Sequence, residues 1–199
     1  MTAQIIPIFP SLILINEVKN FNKIKEELID WIKKYQKSQN NYQVSGRNTW
    51  QSPTDFYKKE KSFFKYKNLI ENIILETIIS SFTDEKCQIT NMWININGPG
   101  GYNVAHTHPS SDLSGVLWIN CPKNCGVLRF ESPNHFTQYK NIQTSYENIK
   151  QSLNYYCDFW LEPSEGKLCI FPSDINHFVE ENLSEEDRIS ISFNIKLDI

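Results

Sequence analysis

The chain changes its hydrophobic rhythm twice. Residues 5–16 read as a short strand, with Leu12, Ile13, Leu14 and Ile15 following the Pro10-Ser11 turn signal. From Asn20 the spacing becomes helical. Phe21, Ile24, Leu28, Trp31, Ile32 and Tyr35 share one face, with lysines and glutamates opposite, which predicts an amphipathic helix over 21–37. Residues 38–56 are polar and turn-rich and read as a loop containing Trp50-Gln51-Ser52-Pro53. A second helix is predicted over 64–81, where Leu69, Ile70, Ile73, Ile74, Ile78 and Ile79 form a wide apolar stripe.

After Thr83-Asp84-Glu85 the rhythm is that of strands. Met92, Ile94 and Ile96 alternate with Asn91, Trp93, Asn95 and Asn97, and Gly98-Pro99-Gly100-Gly101 then reads as a strand break. Further strands are predicted near 102–108, 113–120, 126–131, 154–161, 167–171, 177–182 and 188–196, separated by clear turn signals. About eight short strands in regular succession indicate a sandwich or jelly roll. Residues 132–153 form a long polar and aromatic insert, the kind of loop that often binds or covers a ligand. The expected organisation is one domain, 1–199: an N-terminal strand with supporting helices over 1–85, then a β core over 86–199.

Composition narrows the function. Net charge is −3 with both signs interspersed, so no basic stripe points to nucleic acid. No apolar run reaches the ~18 residues of a membrane span. No basic region precedes the apolar start, so it does not read as a signal peptide. The expectation is a soluble, cytoplasmic protein. Five cysteines, Cys87, Cys121, Cys125, Cys157 and Cys169, are an odd number. Without a secretory signal they are expected to be free thiols rather than a disulfide framework. Lysine outnumbers arginine 17 to 3, which leaves Arg47, Arg129 and Arg188 as the arginines to consider.

The candidate chemistry lies in the histidines. There are four: His106, His108, His135 and His177. Imidazoles at i and i+2 of an extended segment point to the same side, so His106 and His108 can share one ion. His177 comes 69 residues after His108, on a predicted strand that can fold back beside them. Neutral imidazole suits iron, zinc, copper and nickel. A histidine at a turn is more commonly only solvated, and that is the reading for His135, with substrate contact as its alternative. Arg188 begins an alternating run in which Arg188, Ser190, Ser192 and Asn194 share one face and Ile189, Ile191, Phe193 and Ile195 the other. Such a polar face either meets solvent or lines a cavity. In a cavity the guanidinium fork would hold a carboxylate in two-pronged fashion. Arg129, on Gly126-Val127-Leu128-Arg129-Phe130, is the rival anchor.

These segments carry a family resemblance. Trp93-Ile94-Asn95, Gly101 to Pro109 with its His106-Thr107-His108, Leu113-Ser114-Gly115-Val116, Gly166 to Ser173 and Arg188 to Asn194 resemble 2-oxoglutarate/Fe(II)-dependent oxygenases of bacteria and their phages, distantly similar to prolyl 4-hydroxylases. Trp50-Gln51-Ser52 also resembles the N-terminal part of that family. The resemblance runs over roughly 5–196 and is strongest over 91–120 and 165–195. It implies a double-stranded β-helix, a cupin-like jelly roll with helices packed on one sheet. It implies Fe(II), 2-oxoglutarate and O2 as cofactor and co-substrates. His106 and His177 would be two metal ligands, and Arg188, helped by Ser190, would pair with the far carboxylate of 2-oxoglutarate. Tyr102 and Trp118 fall where relatives place aromatic residues around that co-substrate.

The sequence departs from the family at one position. The usual motif is His-x-Asp/Glu, and here the carboxylate position holds His108. Three arrangements are open: His108 is the third ligand; a carboxylate such as Asp112 or Glu131 supplies it; or the position is open or no catalytic metal binds. The implied activity is hydroxylation of a C–H bond in a peptide, protein or small molecule, by a monomer or a homodimer. The alternatives are a cupin-like metal protein that does not use 2-oxoglutarate and a non-catalytic jelly-roll binding module.

Overall fold

The fold is built around one long strand. The computed structural model describes residues 11–42, 44–81, 86–133 and 158–198. Most of the expected 132–153 insert, with His135, and also Cys157 lie outside the described residues.

The first strand, β1, is Leu14–Glu17, and helix α1 follows over Asn22–Ser38. Strand β2 is Gly46–Gln51. A short helix α2 at Phe56–Lys59 leads through a 3-10 turn to α3, Phe64–Ser81. The remaining strands are β3 Cys87–His106, β4 Leu113–Asn120, β5 Leu128–Glu131, β6 Asp158–Leu161, β7 Lys167–Pro172, β8 His177–Val179 and β9 Arg188–Leu197. All pair antiparallel in one curled sheet of order β1-β7-β4-β9-β3-β8-β5-β6, with β2 also paired to β3. This curled half-barrel is the jelly-roll architecture expected from the sequence.

Two expectations are corrected. Residues 46–51 were expected in a loop but form β2. Its middle, Arg47-Asn48-Thr49, has no alternating apolar signal; pairing with Asn95 to Asn103 of β3 makes it a strand. The expected break at Gly98-Pro99-Gly100-Gly101 is a bend inside one continuous strand. Gly100 takes φ +73°, and its N–H donates to the Asn182 carbonyl at 2.7 Å. A Cβ on Gly101 would stand 2.7 Å from the Asn48 carbonyl oxygen. Glycine therefore lets β3 curl without losing its neighbours.

The two faces of the sheet have different fates. Met92, Ile94 and Ile96 of β3 and Ile189, Ile191, Phe193 and Ile195 of β9 face the helices. They pack with Leu28 and Ile32 of α1 and Ile70, Ile74 and Ile78 of α3. Burying each such side chain contributes about 1.5–3 kcal/mol before entropy is counted. The intervening residues, Trp93, Asn95 and Asn97 with Arg188, Ser190 and Ser192, turn to the concave side and line a cavity there. The polar face of the last strand is therefore an interior surface, not a solvated one.

Candidate metal centre

Three imidazoles meet on the concave side. His106 ends β3 and His177 begins β8, and they are partners in the antiparallel register. His108 follows two residues later, where its N–H donates to the Ser173 carbonyl at 2.8 Å. A hydroxyl chain holds that turn: Ser114 and Ser173 share a hydrogen bond of 2.8 Å, and Ser114 donates to Asn194 at 2.8 Å. One ring nitrogen from each of His106, His108 and His177 lies within 4.8 Å of the other two. Ring centroids are 4.5 Å apart for His106 and His177, 5.0 Å for His106 and His108, and 5.2 Å for His108 and His177. Metal–nitrogen bonds of about 2.0–2.1 Å make these spacings reachable by small side-chain adjustment.

Hydrogen bonds set which nitrogen is available. A carbonyl only accepts, so Nδ1 of His106 donates to Val104 at 2.7 Å and Nδ1 of His177 to Ile175 at 2.9 Å. Nε2 of each ring is left with its lone pair for a metal. His108 has no such carbonyl among the described residues; the Trp93 ring lies 5.7 Å from it instead. Burial pushes all three histidines below the usual range, His108 to about 4 and His177 to about 3, with the neighbouring imidazoles adding to the effect on both. All three are neutral near pH 7, the form that binds metal.

The carboxylates that were alternatives to His108 are engaged elsewhere. Asp112 accepts from the Leu197 N–H at 2.8 Å and from Lys196 at 3.1 Å. Glu131 accepts from Asn176 at 2.6 Å. Among the described residues, no Asp or Glu lines the cavity, and the grouping that forms is the three-histidine one.

Geometry also separates the two arginines. Arg129 is ion-paired twice, to Asp158 and to Glu180, each at 2.5 Å. Arg188 is 1% exposed and lines the cavity. Its Nη1 donates to the carbonyls of Cys125 and of Glu180, the latter at 3.2 Å. Its Nη2 is buried without a hydrogen-bond partner among the described residues. Burial pulls its pKa down to about 10, so it remains a cation at neutral pH. A buried donor left unpaired costs about 1–3 kcal/mol; an anionic ligand would relieve that cost.

Ser190 and Trp118 are cross-strand partners and both line the cavity. Tyr102 does not reach it. That side chain is 40% exposed, because Asn103, one residue on, takes the inward position on β3. A register shift between Asn103 and His106 then turns His106 inward. Behind Arg188, Cys121 and Cys125 are free thiols, as are Cys87 and Cys169. The neighbouring Cys121 thiol pulls the Cys125 thiol below its usual range, against the opposing effect of burial, with Arg188 assisting.

The sequence reading missed a set of interior amides and hydroxyls. Gln51 donates to Asn95 at 2.7 Å and Asn95 to Ser192 at 3.0 Å. Asn97 donates to Thr49 at 2.8 Å and to Asn103 at 3.1 Å. The signal was available: Asn95 and Asn97 alternate with the apolar Ile94 and Ile96, as Arg188 and Ser190 alternate with Ile189 and Ile191.

Comparisons with known proteins agree with this geometry. A sequence family described as "Putative 2OG-Fe(II) oxygenase" matches residues 91–194, more than half of the chain, and spans all three histidines and Arg188. No curated protein matches the sequence. Among solved structures, HygX from Streptomyces hygroscopicus, determined with nickel, 2-oxoglutarate and hygromycin B bound, aligns with TM-score 0.65 at 8% identity, over 95% of this chain and 84% of that one. A prolyl hydroxylase of Trichoplax adhaerens, in complex with a hypoxia-inducible-factor peptide fragment, aligns with TM-score 0.61 at 13% identity, over 92% of this chain and 83% of that one. A 2OG-Fe(II) oxygenase family protein from Burkholderia pseudomallei aligns with TM-score 0.50 at 13% identity, over 66% of this chain, and this chain spans only 58% of its length. At these identities the structural likenesses speak for the fold.

Proposed function

The chain belongs to the family of 2OG-Fe(II) oxygenases, and we propose on that footing that it is a 2-oxoglutarate-dependent dioxygenase that hydroxylates a C–H bond. The observation that carries this reading is the convergence of three neutral imidazoles and the unspent Nη2 of Arg188 on one cavity. The donor set fits the group: three nitrogen ligands suit a divalent transition ion, and a fixed guanidinium suits a dicarboxylate. Bound there, Fe(II) and 2-oxoglutarate supply the coupling of O2 to co-substrate decarboxylation and substrate oxidation.

The chain's own residues bind, orient and exclude water. His106 and His177 present Nε2 because Val104 and Ile175 hold their other nitrogens. His108 supplies the third nitrogen in place of a carboxylate. Arg188 is anchored through Nη1 to backbone carbonyls, so its unpartnered Nη2 is held in place and would take the far carboxylate of 2-oxoglutarate. Ser190 adds a hydroxyl on the same face, and Trp118 packs beside it. Val116, Leu128, Phe171 and Val179 make the apolar wall that keeps water away from the reacting groups.

For the prime substrate, we favour a peptide or protein side chain. The Trichoplax prolyl hydroxylase with its bound peptide fragment supports that class by analogy of fold. No helix among the described residues is long and apolar enough to cross a membrane. The test is elemental analysis of the purified protein, together with succinate release from 2-oxoglutarate. Iron-dependent release that falls in His108→Ala and Arg188→Ala is the expected result. Release unchanged by Arg188→Ala would remove that residue's assigned role.

A further inference from the structure

Behind Arg188 lies a pair of thiols that the oxygenase chemistry does not use. Strand β4 ends at Asn120, and the chain then turns at Lys123-Asn124, with Cys121 before the turn and Cys125 after it. Asn124 takes φ +64° and Gly126 φ +80°, left-handed positions that fold the chain back on itself. Both cysteines line a second cleft, together with Lys123, Glu162, Glu180 and Glu181, that shares no lining residue with the histidine cavity. Cys121 is half-buried, Cys125 is buried, and both are free thiols. Each is the leading influence on the protonation of the other, as adjacent sulfurs are.

The same turn supports Arg188. Nη1 of Arg188 donates to the Cys125 carbonyl, and the Gly126 carbonyl stands 3.5 Å from it. The turn has little slack on its outer side. The Leu183 N–H donates to the Asn124 carbonyl and the Glu180 N–H to the Val127 carbonyl, each at 3.0 Å. A Cβ on Gly126 would stand 2.5 Å from the Glu180 carbonyl oxygen. Joining the two sulfurs takes them from non-bonded contact to about 2.0 Å. The turn then draws in, the Cys125 carbonyl moves with it, and the anchor of Arg188 shifts.

We propose that Cys121 and Cys125 are a modification site: hydrogen peroxide joins them in a disulfide, and the contracted turn displaces Arg188 and weakens the hold on 2-oxoglutarate. One thiolate attacks a peroxide oxygen, the O–O bond breaks, and a sulfenic acid and hydroxide form. The other thiol attacks that sulfur, the S–S bond forms as the S–O bond breaks, and the oxygen leaves as water. In sum the two thiols give up two electrons and two protons, and one peroxide becomes two waters. Cys125, the thiol held below its usual range, reacts first. The effect on 2-oxoglutarate rests on the co-substrate reading above; the disulfide does not.

The test treats full-length, metal-free protein with hydrogen peroxide, removes the peroxide, and splits the sample. One half is digested with trypsin under non-reducing conditions. Cleavage after Lys123 separates Cys121 from Cys125, so only a disulfide keeps their peptides together, and fragmentation in the mass spectrometer tells Cys121 from Cys87 on the same peptide. The other half is loaded with Ni(II), and its affinity for 2-oxoglutarate is measured by calorimetry before and after dithiothreitol. The expected result is a Cys121–Cys125 linkage, with affinity about tenfold or more weaker and restored by the reductant. Cys121→Ser is expected to bind 2-oxoglutarate like the reduced wild type and to be indifferent to peroxide. A linkage to Cys157 or Cys87 instead, or no linkage at all, would overturn the proposal. So would a Cys121–Cys125 linkage that leaves the affinity unchanged or tightens it. Failure of the reduced, nickel-loaded protein to bind 2-oxoglutarate would count against the oxygenase reading, while the peptide map still decides the disulfide.

Discussion

His106 and His177 are register partners across β3 and β8, so one strand pairing sets the two proposed metal ligands face to face. Their Nδ1 atoms are each held by a backbone carbonyl two residues earlier, Val104 and Ile175. The same local device repeated on both strands aims both Nε2 atoms at a common point.

Metal binding should therefore fall unequally across the histidines. His106→Ala and His177→Ala each remove a nitrogen whose direction is fixed, and both are expected to lose the metal. His108→Ala removes the ring without a carbonyl support and is expected to weaken binding less. Metal content by elemental analysis after dialysis ranks the three.

Removing the metal should also lower stability. An ion that binds only the folded chain stabilises it by about 2.7 kcal/mol at a hundredfold excess over its Kd. Thermal unfolding with and without a chelator should show a higher Tm for the loaded protein. Equal Tm values at saturating metal would count against a preformed site.

Arg188→Lys tests the need for a fork. The ammonium keeps the charge but cannot hold the backbone carbonyls and a carboxylate together. A loss of about 10- to 100-fold in 2-oxoglutarate affinity is expected, measured by calorimetry on the metal-loaded protein. Arg129→Lys, whose partners are Asp158 and Glu180, should leave that affinity close to wild type.

The metal-free protein should lose stability in acid. The folded pKa values of His108 and His177, about 4 and about 3, lie below the ordinary 6.5. As pH falls below about 6.5 the unfolded chain takes up protons first, so stability declines toward about pH 3. Urea midpoints measured at several pH values in chelator should follow that slope, and His177→Phe should flatten it.

Much of this site was legible in the sequence, for a physical reason. The i, i+2 spacing of His106 and His108 and the alternation from Arg188 to Ile195 are local patterns, and strand geometry converts them directly into a shared face. Helix α3 likewise matches its apolar stripe at both ends. What stayed hidden depends on distant partners. Strand β2 exists because β3 pairs with it, and Gln51 finds Asn95 44 positions away. The side taken by Tyr102 follows from which residues of β3 turn inward around the irregular stretch before His106.

The helix-packed face of β9 offers a stability check separate from the site. Ile191 is fully buried between sheet and helices. Ile191→Ala should cost about 2–5 kcal/mol, and Ile191→Val about 0.5–1.5 kcal/mol, in denaturant unfolding.

The most direct measurement is anaerobic titration of the Fe(II)-loaded protein with 2-oxoglutarate, followed in the visible spectrum. A weak charge-transfer band that saturates with co-substrate, absent in His177→Ala and shifted to higher concentration in Arg188→Lys, is the predicted result. Iron retained by the protein with no such band at any 2-oxoglutarate concentration would contradict the account.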